Sequence, residues 1–488
     1  MTCGPTLKGV SSMKVLYCTS EATPFAATGG LGEVAGSLPQ ALRMRLIGCR
    51  VVMPLYEDIP QELRENMKFV TSLSVPVAWR RQYCGVFETH SGGVIVYLID
   101  NQYYFKRHGL YGHYDDAERF AFFSRAALEM LPYIDFKPDI IHANDWQTAL
   151  VPIYFSIFYA DKEFYRGMKT VFTIHNIQYQ GKYGKELVED VLGIPEPSVP
   201  LLEYGDCINM VKGAVECANR VTTVSPTYAQ EILDPWFAYG LENILQERSW
   251  KLSGILNGID VHVYNPETDE YLYANYTADD PDGKAEDKAE LQQRLNLAQE
   301  PEAPLVGMVT RMVAAKGLDL LEQAFDRMMQ QTNLQFVILG SGDWEYENFF
   351  KEMQSRYAGR VCACFGFIPE LSHKIYAASD LFLMPSRTEP CGLAQMIALR
   401  YGAVPVVRET GGLKDTVTDS GGGKGNGFTF RDYSSDDMLG AVKRAVKGYA
   451  DRDGWKILMR RGMECDFSWG HSANEYIRLY RSLLKNGK

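Results

Sequence analysis

Arg311, Lys316 and Glu389 are the side chains in this sequence best placed to do chemistry, because each follows a short apolar run that reads as a strand. Arg311 and Lys316 lie just past PLVGMVT, and Lys316-Gly317 opens the helical pattern LDLLEQAF. An arginine fork and a lysine point charge beside a helix start make a receptor for a diphosphate. Two solvated surface cations are the plainer reading. Glu389 belongs to LMPSRTEPCGL (383–393), where the apolar run DLFLM turns into the helical pattern AQMIALRYG. With Pro390 where a helix start tolerates proline, Glu389 is expected to face the positive end of the helix dipole and stay ionised. The backbone N–H groups of Cys391, Gly392 and Leu393 should point the same way, free to bind. One fixed acceptor beside a fan of donors suits a sugar with several hydroxyls. A capped turn carrying an incidental Glu is the alternative.

Other candidates also fall at strand ends. Gly29 and Gly30 (TGGLGE) follow KVLYC, Gly340-Ser341-Gly342-Asp343 follows LQFVILG, and Thr410-Gly411-Gly412-Leu413 follows VPVVR. Bare backbone of this kind lets a ligand come close, or only solves a packing problem. The GSGD turn could shape a pocket for a nucleobase or ribose. His175 and Asn176 close TVFTIHN, and a neutral imidazole and an amide can both bind hydroxyls, unless the histidine merely satisfies a core-edge partner. Asp145 and Trp146 follow DIIHAN, and the indole offers a flat face to a sugar ring or to the core. Tyr103, Tyr104, Tyr111 and Tyr114 make the 101–115 stretch aromatic. Trp146, Tyr104 and Tyr111 are the acceptor-side candidates.

The elements that must position these groups alternate in type. Runs at 14–18, 50–55, 94–99, 139–144, 170–176 and 221–225 read as strands with helical patterns between them. The alternation resumes at 304–310, 334–340, 360–367, 380–384 and 404–408. Such alternation predicts parallel sheets covered by helices. We expect an α/β chain of two doubly wound, Rossmann-like domains facing across a cleft, hinged near residue 254. The expected divisions are a disordered leader at 1–12, a first domain at 13–253, a second at 254–463, and a terminal helix at 464–488 returning to the first. The acidic stretch 277–295 reads as a solvated loop and helix.

Composition narrows the function. The 488 residues are 46% hydrophobic and 23% charged, which is ordinary for a globular protein. A net charge of −11 argues against a nucleic-acid or anionic-membrane binder. The longest apolar run, 149–160, contains Pro152 and is too short to span a bilayer. Ten cysteines without framework spacing, and no CxxC, suggest reduced thiols and no zinc site. The first residues show no basic-then-apolar signal pattern. Bacterial cytosol is the expected compartment, with plastid stroma the other reducing one.

The set is more specific than its members. TGGLGE, HANDWQ, FTIHNIQYQG, NGID, TRMVAAKGLD, GSGD, SRTEPCGL and TGGL occur in order at consecutive strand ends. Over about 13–485 this resembles the bacterial glycogen synthases and the plant or algal starch synthases, retaining glucosyltransferases of the GT-B fold. The resemblance implies transfer of glucose from ADP-glucose to the non-reducing end of an α-1,4-glucan, without a metal or other cofactor. It implies that Arg311 and Lys316 neutralise the donor diphosphate and that Glu389 holds donor glucose hydroxyls. His175 and Asn176 would meet the transferred glucose, and Asp145 the reaction centre or acceptor. Gly29, Gly30, Thr410, Gly411 and Gly412 would surround the phosphates and glucose. Two positions depart from the pattern: Ala27 stands where relatives carry a nucleotide-contacting Lys, and Glu33 where Asp is usual. The first leaves UDP-glucose or another acceptor open. A non-catalytic glucan-binding scaffold is the alternative of a different class.

Overall fold

The computed structural model describes residues 13–485, so the expected leader at 1–12 lies outside the described residues. The chain forms two compact units. Of the described residues, the first takes in 13–224, Ala229–Ile255 and 469–485; the second takes in Ser225–Tyr228 and Leu256–Ser468.

The first unit contains β1 (Lys14–Cys18), β2 (Gly48–Pro54), β3 (Lys68–Val77), β4 (Arg80–Ser91), β5 (Val94–Asp100), β6 (Ile140–Asn144) and β7 (Lys169–Ile174). The short β8 (Lys182–Gly184), β9 (Glu203–Tyr204) and β10 (Cys207–Asn209) form a separate antiparallel sheet. With β11 (Arg220–Thr223) and β12 (Leu252–Gly254), the nine-stranded sheet runs β12-β11-β7-β6-β1-β2-β5-β4-β3. It is parallel from β12 to β5 and antiparallel through β4 and β3. The antiparallel hairpin was not expected. Its outer strand is largely exposed, so it lacks the continuous apolar run that marks a strand covered on both faces.

The second unit's sheet is wholly parallel. Its strands are β13 (Leu305–Val309), β14 (Gln335–Gly340), β15 (Val361–Phe365), β16 (Leu381–Met384), β17 (Val404–Arg408) and β18 (Phe428–Phe430), in the order β15-β14-β13-β16-β17-β18. β14 shows why these strands read as unbroken apolar runs. Phe336 and Ile338 enter a core with Phe325 and Phe350, while Val337 and Leu339 enter another with Leu291 and Ile375 on the opposite face.

In each sheet the strand order reverses direction near the middle. In the first unit the reversal lies between β1 and β6, in the second between β13 and β16. Ligands of open parallel sheets bind beyond the strand C-termini at such a switch point.

One expectation needs correction. The stretch 277–295 is not simply solvated: its helix, Gly283–Arg294, buries Lys284, Asp287 and Lys288. Lys288 pairs with Asp380 at 2.7 Å, and Asp380 also accepts from the Leu305 N–H, so the charges fasten the starts of β13 and β16. Charged residues mimic a surface face in sequence when their partners are distant.

The terminal helix, Trp469–Lys485, belongs to the first unit and packs on the helix Gly30–Met44. Its Tyr480 hydroxyl lies 2.7 Å from His142 Nδ1, and His142 Nε2 lies 2.6 Å from the Thr173 hydroxyl. Burial pushes the His142 imidazole down to about 3, so it is neutral and serves one donor and one acceptor. We predict that Tyr480→Phe, which strips a buried partner from the ring, lowers unfolding free energy by about 1–3 kcal/mol in urea titrations. An unchanged midpoint would show that the helix is held by packing alone.

Candidate active site

In the first unit, the loops after β1, β6 and β7 converge on Asn144, the last residue of β6. Its buried side-chain oxygen accepts from the Tyr17 hydroxyl at 2.9 Å, and its amide nitrogen donates to Cys18 O at 3.0 Å. His175 Nε2 lies 3.0 Å from the same oxygen. Since that oxygen can only accept, Nε2 carries the proton and Nδ1 is the acceptor. Burial lowers the His175 pKa to about 3, so this ring too is neutral at physiological pH.

Asp145 follows in a strained conformation, with φ 57° and ψ 178°. That region is nearly reserved for glycine and costs on the order of 1–3 kcal/mol. The turn is held by the Asp145 N–H donating to Thr173 O at 2.9 Å, and by the His175 N–H donating to Asp145 Oδ1 at 2.7 Å. Burial pushes the Asp145 carboxyl up to about 7, against the backbone donors of His175 and Asn176. Strain and a raised pKa thus meet on one half-buried carboxyl, a combination that clusters at functional sites.

Gly29 and Gly30 are exposed, with open space where side chains would stand. The preceding Thr28 is clamped by Glu21, whose buried carboxylate accepts from the Thr28 N–H at 2.7 Å and its hydroxyl at 2.8 Å. Glu21 was missed from sequence; its signal was a carboxylate just past a buried strand. Tyr111 lies beside it, its hydroxyl 2.8 Å from that of Ser20. Two expected sugar-stacking residues are otherwise engaged. Tyr104 is fully buried with its hydroxyl 2.5 Å from Glu118. The Trp146 ring packs edge-on to Phe120 at 5.2 Å and against Tyr183 at 5.9 Å. An aromatic-rich loop cannot be told from a packed one by composition.

The second unit brings the three opening candidates to the β13–β16 switch point. Lys316 Nζ lies 2.9 and 2.7 Å from the two Glu389 carboxylate oxygens, and the Ser386 hydroxyl donates to Oε2 at 2.9 Å. Glu389 is 6% exposed, so this is a sheltered ion pair. Arg311 is exposed and has no partner among the described residues. The two turns lock together where the Arg387 N–H donates to Ala315 O at 2.9 Å. A Cβ on Gly317 would come 1.9 Å from Pro385 O.

The expected helix start at Glu389 is corrected. The helix runs Ala394–Arg400, because Gly392 adopts φ +73°, which no α-helix accommodates. Glu389 is therefore steadied by Lys316 and Ser386 rather than by a dipole. The N–H groups of Cys391, Gly392 and Leu393 have no acceptor among the described residues.

Thr410, Gly411 and Gly412 are buried, not bare backbone. The Gly412 N–H lies 3.2 Å from Glu389 O and from Pro390 O, and a Cβ on Gly411 would come 1.9 Å from Glu389 O. These glycines let the TGGL turn seat the Glu389 backbone.

Gly340 and Gly342 lie against the carbonyls of Thr310 and Met312, beside Arg311, while Ser341 is exposed. The Gly366 N–H donates to Gly340 O at 3.0 Å, and the next residue, Phe367, is 92% exposed. Phe367 was also missed, although a phenylalanine just past a strand end is a visible signal. Among the described residues, no group of three or more His, Cys, Asp or Glu converges as metal ligands would. No described helix is long and apolar enough to cross a membrane.

The Asp145 geometry yields a prediction. Its folded pKa lies above the unfolded value of about 3.9, so the stability it costs grows as pH rises from that value through about 7. Asp145→Asn keeps the acceptor for the His175 N–H and removes the charge. We expect lost turnover together with at least about 1 kcal/mol greater stability at pH 8 than at pH 5, each relative to the parent protein. A variant less stable at both pH values would sink this account.

Residues 14–247 match the family model described as starch synthase catalytic domain, and residues 289–457 match that described as glycosyl transferases group 1. A glycogen synthase of Geobacillus thermodenitrificans is 49% identical over 97% of this chain and 98% of its own. One from Alkaliphilus metalliredigens is 46% identical over 96% of this chain and all of its own. The catalytic domain of starch synthase IV from Arabidopsis thaliana, bound to ADP and acarbose, superposes with a TM-score of 0.90 at 37% identity, covering 97% of this chain and 100% of that one. With two parallel α/β units and these relatives over nearly its whole length, the chain belongs to the glycogen and starch synthase family and is a glycosyltransferase of glucosyl transfer in glycogen or starch synthesis.

Proposed function

We propose that this protein transfers glucose from ADP-glucose to the non-reducing O4 of an α-1,4-glucan with retention of configuration. The observation that carries the reading is the sheltered Lys316–Glu389 pair at the β13–β16 switch point, with Ser386 behind it and the unpaired Arg311 guanidinium on the same strand end. A diphosphate arriving there gives Lys316 a second anion and Arg311 its first, and Glu389 then turns an oxygen to a glucose hydroxyl. As the glycosidic C–O bond breaks, positive charge grows on the sugar and negative charge on the leaving phosphate. The two fixed cations meet that growing charge, so they stabilise the transition state more than the ground state. The leaving phosphate oxygen takes the proton from the acceptor hydroxyl as the new bond forms on the same face. In the first unit taken by itself, His175 Nδ1 and Asn176 offer neutral hydrogen-bonding groups suited to sugar hydroxyls, and Asp145 a carboxyl suited to a glucan acceptor.

The ADP bound in the Arabidopsis starch synthase IV structure supports an adenosine donor, and so does exposed Phe367 beside the GSGD turn, a flat face for a purine. Ala27, exposed ahead of Thr28, removes one family cation from the donor side. Two side-chain cations suffice for the diphosphate, so no metal or other cofactor takes part. Nine free cysteines among the described residues and bacterial relatives support a reducing bacterial cytoplasm.

The test is incorporation of labelled glucose into glycogen from ADP-glucose and from UDP-glucose, with EDTA present. Transfer from ADP-glucose at an unchanged rate in EDTA is expected; transfer from UDP-glucose alone overturns the donor, and EDTA-sensitive transfer overturns the metal-free chemistry. Lys316→Ala and Glu389→Ala should each lower kcat at least ~100-fold in folded protein. Near-normal rates in both would point to a scaffold.

A further inference from the structure

A cavity of about 520 Å³ in the first unit is lined by Lys169, Asn219, Arg220, Arg248, Trp250 and Lys251. Lys169 opens β7 and Arg220 opens β11, so the cavity lies at the strand N-termini. His175 and Asn176 follow the other end of β7, roughly 20 Å away along a six-residue strand. This is a separate place, which the proposed reaction does not use.

Its charge is out of keeping with the chain. Four cations from three segments share the lining with one carboxylate, Glu216, in a protein of net charge −11. Two of the four are committed. Lys251 is 4% exposed and caps the helix Met210–Cys217 by donating to Glu216 O and Ala218 O at 2.9 and 3.0 Å. Arg248 Nε donates to the Glu216 carboxylate at 2.9 Å, which neutralises the one acid present. The other two are not answered. Lys169 Nζ has no partner among the described residues, and Arg220 spends a single Nη1 donor on Asn219 O at 3.1 Å. Beside them the Trp250 ring, 69% exposed, stands 5.8 Å from the Arg220 guanidinium and supplies an apolar wall. The Cys217 thiol in the lining is held up at about 11 by burial and stays neutral.

We propose that this cavity binds a phosphomonoester carried on a small ring, a sugar phosphate or a nucleoside monophosphate, with Lys169 and Arg220 on the phosphate and Trp250 against the ring. The volume lies within the usual range of small-molecule sites and exceeds what a bare phosphate fills. A dianion with several acceptor oxygens matches an ammonium and a guanidinium fork that otherwise lack a counter-charge. The ring lies over an indole face, which gains contact area at little entropic cost.

The experiment is calorimetric titration of the full chain with inorganic phosphate, glucose 1-phosphate and AMP, in the parent protein and four variants. Because the same probes could enter the donor site, Lys316→Ala is included to remove that route. Lys169→Ala and Arg220→Ala, each made in the Lys316→Ala background, should weaken binding of the ring-bearing probes at least about tenfold relative to Lys316→Ala alone. Trp250→Ala should weaken glucose 1-phosphate or AMP but not inorganic phosphate, and whichever of the two binds tighter identifies the ring. All four positions are surface or half-buried, so thermal unfolding verifies that each variant is folded. Absence of saturable heat with every probe, or loss of binding only in Lys316→Ala, overturns the site.

Discussion

The candidate site of the second unit depends on one electrostatic constraint: an ammonium and a carboxylate, from neighbouring strand ends, held in contact where water is largely excluded. Taking either partner away leaves a sheltered charge uncompensated, which costs far more than the pair itself contributes. The backbone around it is built to suit. Gly317 backs onto Pro385, Gly411 onto Glu389, and Ser386 spends its hydroxyl on the carboxylate. On the proposed reading, donor binding exchanges partners rather than creating charge, because the incoming phosphates take up Lys316 while a sugar hydroxyl takes up Glu389. The unliganded site is then stable without being inert.

The first unit solves its own problem with neutral groups. The chain Tyr17–Asn144–His175 and the chain Thr222–Thr173–His142–Tyr480 run through the sheet from buried hydroxyls to imidazoles that burial keeps uncharged. Fixed tautomers follow from these contacts, and with them a defined donor and acceptor on each ring. Asp145 is the exception, a carboxylate in a backbone conformation that its neighbours must enforce.

Much of this was legible in the residues. Strands covered on both faces announce themselves as apolar runs, and the β14 and β17 runs were read nearly to the residue. Arg311, Lys316 and Glu389 were legible as strand-end groups. Their pairing was not, since strand order is a long-range property and the β13–β16 adjacency leaves no local trace. Where local rules failed, a tertiary contact had overridden them. Gly392 delays a helix that periodicity places earlier, Lys284 and Lys288 are buried by partners far along the chain, and Tyr104 and Trp146 pack inward. Glu21 and Ser386 escaped notice because a carboxylate or hydroxyl that steadies another group looks like any turn residue until its partner is seen.

The placement of the last helix bears on how the molecule comes into being. Residues Trp469–Lys485 complete the first unit, yet they are made after the whole of the second. During synthesis the second unit can close on itself while the first still presents the apolar face that Trp469, Tyr476 and Tyr480 will cover. Vectorial folding is therefore interrupted: the sheet of the first unit must wait, partly assembled, until the segment Trp469–Lys485 has left the ribosome. A chain terminated before Trp469 would leave the earlier-made unit, not the later one, without its cover.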